Sequence, residues 1–166
     1  MRTRRRIFCI ALTLLTLLLD SSVIPFSGLD MRFVPRLCLI STVLIGTILG
    51  ATEGITYGAL AGILLDITVY QPAGLVAVFY TLCGLIAGFL SQRLKPYLVT
   101  LLPLAAAYTF YEMGMAIYVY FTSGAFPAAK LPFALVRLLI ALLILQLLYL
   151  PSIRILKPAS IGRQRR

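Results

Sequence analysis

The sequence predicts an all-α integral membrane protein: a compact bundle of six transmembrane helices with both termini on the cytoplasmic side. Three observations predict it. Of the 166 residues, 61% are hydrophobic and 12% charged, with a mean hydropathy of +1.01; a soluble domain of this size could not hide that much apolar surface. The apolar residues fall into six runs of about the length that crosses roughly 30 Å of hydrocarbon at 1.5 Å per residue. The basic residues stand at the ends of those runs.

The first run, 7–27, follows Arg2, Arg4, Arg5 and Arg6. A basic flank before an apolar stretch imitates a secretory signal peptide. No small-x-small cleavage site follows, however, and five further apolar runs do, so a retained first span is expected. The second run, 33–51, comes after Gly28-Leu29-Asp30, and the third, 54–70, after a Thr52-Glu53 link. The third is short and diluted by glycine, so one bent element over 33–70, giving five spans, is the alternative. Gln71-Pro72-Ala73 precedes the fourth run, 74–91; Pro96 precedes the fifth, 97–121; and 123–130, with Gly124 and Pro127, precedes the sixth, 131–153. The whole chain, 1–166, reads as one transmembrane domain with basic tails at 1–6 and 154–166.

Six spans with the N-terminus inside place Arg2, Arg4, Arg5, Arg6, Arg93, Lys95, Arg154, Lys157, Arg163, Arg165 and Arg166 in the cytoplasm, against Arg32, Arg36 and Lys130 outside. The positive-inside rule favours that orientation. The same placement accounts for the net charge of +10 through anionic headgroups, so no nucleic-acid partner is expected. The chain has no histidine, and its cysteines, Cys9, Cys38 and Cys83, lie in apolar runs without metal-ligand spacing. No metal and no cofactor is expected. Without histidine or an ExxE or DxxD pair, a membrane hydrolase or transferase is disfavoured, and the chain reads as a non-enzyme.

Glycine and acid carry the site prediction. Gly54, Gly58, Gly62 and Asp66 recur every four residues, so they share one helix face. Gly46 and Gly50 in the second run and Gly84 and Gly88 in the fourth have the same spacing. Small residues permit close backbone approach where lipid removes the hydrophobic drive between helices, so spans two, three and four should cluster tightly. Asp20, Asp66 and Glu112, with Arg137, come out at similar depth in the outer half of the bilayer. A charge near the bilayer centre costs about 3 kcal/mol, so these groups should face inward and pair. Arg137 is the expected counter-ion and Arg36 a snorkelling side chain. The two readings are a polar site or partner contact in the outer half, and interhelical bridges that hold the bundle in register. Tyr118 and Tyr120 suit the outer interfacial belt. Tyr108 and Tyr111 lie deeper, where they either line a pocket or pack with hydrogen-bonded hydroxyls.

In order, the chain shows a second span starting at "RFVPRLCLIS", the glycine-spaced third span ending in "GILLD", a short Pro-Gly connection and "GLVAVFYTLCGLIAGFL". This pattern, over about 10–92, resembles the bacterial rod shape-determining MreD family. Gly58, Gly62, Asp66 and Gly74 match the family's features; the acid that often follows the proline of the second span is Arg36 here. The resemblance implies a scaffold of the cell-elongation machinery in the bacterial cytoplasmic membrane, helping to control cell shape and lateral peptidoglycan synthesis. Its implied partners are the single-span protein MreC and, indirectly, MreB, RodA and a penicillin-binding protein. The glycine faces and the charged cluster would then form a groove for partner helices. The architecture is also similar to that of substrate-binding subunits of energy-coupling-factor vitamin transporters, which makes a vitamin pocket in the same outer half the alternative.

Overall fold

The computed structural model describes residues 2–23, 35–68, 74–94, 98–124 and 131–156. The connections between these segments, the tail 157–166, and with them Arg32, Lys95, Pro96 and Lys130, lie outside the described residues. What is described is helical, with no strand: α1 (Arg2–Leu18, continued by a wide π-helical turn over Leu19–Val23), α2 (Leu37–Leu49), α3 (Ala51–Thr68), α4 (Leu75–Arg93), α5 (Leu101–Ser123) and α6 (Leu131–Leu156). Two stretches, Leu75–Arg93 and Pro132–Ile153, are long and apolar enough to cross a membrane, and Leu37–Leu49 is a shorter apolar helix.

Helix α2 is the axis. Every residue from Cys38 to Ile48 is buried, as expected of a short helix that is apolar all round. The others pack around it, and successive helices run antiparallel. Thr16 Oγ1 meets Ser41 Oγ at 3.1 Å between α1 and α2. The Cys83 thiol donates to the Ala107 carbonyl between α4 and α5, where Phe79 also packs edge-on against Phe110 and Tyr111. Helix α6 buries Ala141 and Leu145 and exposes Leu135, Leu139, Leu143 and Leu147.

Several boundaries differ from the sequence reading. Helix α1 begins at Arg2, so the basic residues of the first turns are helical, and α5 begins at Leu101. Within the run read as 33–70, the described helices α2 and α3 form an antiparallel pair, not one bent element. Its hinge is Gly50, whose φ of +107° suits glycine and strains other residues. Thr52 and Glu53 are therefore part of the first turn of α3 and not a link. Helix α6 runs on to Leu156 with Pro151 inside it.

Candidate functional site

The glycine stripe of α3 faces α4, and backbone fills it. A Cβ on Gly62 would collide with the Ala77 backbone, one on Gly58 would lie 2.5 Å from the Tyr80 carbonyl oxygen, and one on Gly54 would collide with the Gly84 carbonyl. From the other side, Gly84 abuts Gly54 and Gly88 abuts Ala51, while a Cβ on Gly46 of α2 would sit 2.9 Å from the Gly84 oxygen. Helices α2, α3 and α4 thus cluster as the spacing predicted. The groove expected for partner helices is occupied by the protein's own backbone, which corrects that expectation.

Asp66 ends the stripe by capping α4. Its Oδ2 accepts the backbone N–H of Gly74 at 3.1 Å and of Ala77 at 3.0 Å, and its Oδ1 that of Val76 at 3.2 Å. The N-cap position itself is Gly74, which has no side chain to cap with and adopts φ +96°. The first N–H groups of a helix need acceptors and favour negative charge, and a residue from the preceding helix supplies both. Gly58, Gly62, Asp66 and Gly74 therefore form one device: the glycines bring α4 close, and the acid closes its end.

Asp20 repeats the device one hairpin earlier. Its Oδ1 accepts Leu37 N–H at 3.0 Å and its Oδ2 accepts Cys38 N–H at 2.8 Å. Here too the local cap is missing, because Arg36 holds the N-cap position without a capping side chain. The wide turn over Leu19–Val23 lets Asp20 project from the end of α1 toward α2.

The third hairpin is closed by charge on both sides. Arg137 Nη1 lies 3.2 Å from Glu112 Oε1, with the two side chains 15% and 22% exposed, and Nη2 lies 3.4 Å from Oε2. Arg137 is thus a counter-ion, and its acid is Glu112. The four charged residues predicted as one group divide into two caps and one ion pair.

Arg36 does not snorkel. Its guanidinium lies over the Tyr111 ring, 4.9 Å from the centroid, with the Tyr80, Glu112 and Asp20 side chains also within reach of its charge. Tyr80 packs edge-on against Tyr111 at 5.6 Å. Tyr80, Tyr108 and Tyr111 are all but fully buried, yet among the described residues their hydroxyls have no hydrogen-bond partner. The Tyr108 hydroxyl sits beside the main chain of Arg36 without completing a bond. Sequence reasoning missed this centre, and Tyr80 with it. Its one local sign is an arginine at the start of an apolar helix that holds no acid of its own. Tyr120 is half-exposed, as an interfacial residue would be.

Among the described residues no three Asp, Glu or Cys side chains gather as a metal site requires. The arrangement offers helix caps, one ion pair, and a cation among buried hydroxyls. No curated protein and no solved structure matches the chain. A family model does, that of the rod shape-determining protein MreD, over residues 1–157. With nearly the whole chain inside that match, and with its glycine-spaced third helix ending in a capping aspartate, this protein belongs to the MreD family.

Proposed function

We propose that the protein is a non-enzymatic, multi-pass scaffold of the bacterial cytoplasmic membrane that binds MreC and, through it, serves the MreB, RodA and penicillin-binding-protein machinery of cell elongation. The family match over 1–157 is the observation that carries this reading. The geometry agrees with it. The caps and the ion pair serve to hold the bundle together, and the exposed surface is apolar over several turns: Ile7, Leu14 and Leu18 on α1, Met113 and Phe121 on α5, and the leucine stripe of α6. Apolar faces of that extent belong in lipid or against another membrane helix. Because the glycine faces are filled from within, a single-span partner docks on this periphery.

The six helices are then six spans, N-in and C-in. The end of the bundle where α1, α3 and α5 finish and α2, α4 and α6 begin is the outer one. Depletion in a rod-shaped host tests the function: round cells are expected, together with co-purification of a single-span coiled-coil protein in mild detergent. Normal rods with lost vitamin uptake and a co-purifying ATPase would instead identify the protein as a transporter subunit.

A further inference from the structure

We infer that two copies of this chain pair in the membrane along the outward face of α6, with Gln146 of each copy hydrogen-bonded to Gln146 of the other. The inference rests on the membrane topology proposed above. Helix α6 carries two seams at the alternating three- and four-residue spacing of a coiled coil. One faces inward: Leu138, Ala141, Leu145 and Leu148 lie in or against the core of the protomer. The other runs down the opposite side as Val136, Leu139, Leu143, Gln146, Leu150 and Ile153. Its middle is open, with Leu139, Leu143 and Leu150 62%, 73% and 67% exposed, and Gln146 exposed among them. Arg137, next to this seam, is turned to Glu112 and puts no unpaired charge in it.

Gln146 decides what covers this face. In the apolar stretch Pro132–Ile153, it stands about 5 Å from the midpoint at 1.5 Å per residue. Arg137 is paired and Ser152 is buried. The Gln146 carboxamide is exposed and, among the described residues, has no hydrogen-bond partner. Hydrocarbon offers it neither donor nor acceptor, and a polar group left unbonded there is costly. Lipid tails satisfy the leucines but not the amide. A carboxamide both donates and accepts, so it is its own complement. Two copies inserted with the same orientation are related by a two-fold axis along the membrane normal, which sets each residue of the interface opposite its own copy at equal depth. A second copy therefore supplies the missing amide by symmetry, at the right height and on the right seam. An unrelated helix would need a polar side chain of its own at that depth. Polar side chains hydrogen-bond across packed membrane helices, and one polar residue in an otherwise apolar seam fixes the register of the pair.

Full-length protein provides the test in two steps. Sedimentation equilibrium in density-matched micelles reads the mass of the protein alone, for wild type, Gln146→Leu and Gln146→Asn. The expected result is a reversible monomer–dimer equilibrium whose Kd is about tenfold weaker in Gln146→Leu and partly restored in Gln146→Asn. Position 146 is exposed, so the three proteins should unfold at the same temperature when dilute enough to be monomeric. Oxidative crosslinking in native membranes then locates the face. Leu139→Cys, Leu143→Cys and Leu150→Cys should give covalent dimers, because the seam of a parallel pair brings like residues within disulfide range. Leu14→Cys on α1 and Met113→Cys on α5, also at exposed positions, should not, and the native Cys9, Cys38 and Cys83 are buried. A monomer at every concentration overturns the proposal and leaves the face to lipid or to a partner helix. So does a dimer that Gln146→Leu leaves unchanged, or one crosslinked at Leu14→Cys or Met113→Cys and not on α6. None of these readouts involves MreC or cell shape, so the scaffold reading stands or falls separately. A chain that stays in solution without detergent would defeat the membrane topology itself.

Discussion

Asp66 has two oxygens and serves three donors, the N–H groups of Gly74, Val76 and Ala77. Hydrogen bonds to an ionised acceptor are stronger than neutral ones, and leaving the part-buried donors of Val76 and Ala77 without an acceptor adds its own cost. Asp66→Ala should therefore destabilise the purified protein by about 2 kcal/mol or more, read as a fall in thermal unfolding temperature in detergent. Asp66→Asn should also destabilise, because its amide turns an N–H₂ toward N–H donors. Glu112 differs, since its partner is a single side chain at the edge of the bundle. Glu112→Ala leaves Arg137 uncompensated, whereas removing both partners restores part of the loss. A double-mutant cycle on Glu112 and Arg137 should show coupling of about 1 kcal/mol or more. Strict additivity would mean that the pair does not hold α5 to α6.

Between elements, the glycines divide into two kinds by what surrounds them. Gly58, Gly62 and Gly84 have helical φ and no room, since backbone atoms of the facing helix stand where a Cβ would go. Gly74 has open space around its Cα but a left-handed φ of +96°. Gly62→Ala must push α3 off α4 and should cost about 1–3 kcal/mol. Gly74→Asn should be milder than Gly74→Val, because asparagine tolerates φ > 0 and β-branched residues do not. Thermal unfolding of the three variants checks the ranking. If Gly62→Ala is silent, the close approach of α3 and α4 does not contribute to stability. The same approach explains why Asp66 reaches α4 at all: a Cβ at position 62 would separate the helices one turn before the acid.

For the whole molecule, the three hairpins are closed at one end by Asp20 on α2, Asp66 on α4 and Glu112 on Arg137 of α6. In the proposed topology this is the outer end, and the helical basic turns of α1 lie at the other. Reporter fusions test that orientation: a fluorescent protein after residue 166 should fluoresce. Alkaline phosphatase inserted at 71–73 should be active, and an inactive enzyme there would invert the bundle. The buried positions are concentrated on α2 and its neighbours, with α6 presenting a mostly apolar, exposed flank. Changes to Leu139 or Leu143 should therefore leave the unfolding temperature nearly unchanged and bear on partner or lipid contacts instead.

By itself the sequence determined the helical class, the six apolar segments, the tight packing of α2, α3 and α4, and an inward pairing of Arg137 with an acid. These are legible because each rests on a local quantity: hydropathy over about twenty residues, a four-residue glycine spacing, or the cost of a charge in an apolar medium. Only the tertiary structure decided what each acid meets. Asp20 and Asp66 meet backbone N–H groups, which no letter in the sequence marks as donors, and the missing local caps at Arg36 and Gly74 become informative only once a neighbouring helix supplies the cap. Placing Arg36 over Tyr111 and beside Tyr80 joins α2, α5 and α4, residues 31 to 75 positions apart in the chain. Chain spacing carries no information about such a meeting, because the packing of whole helices sets it and not the period of any one of them.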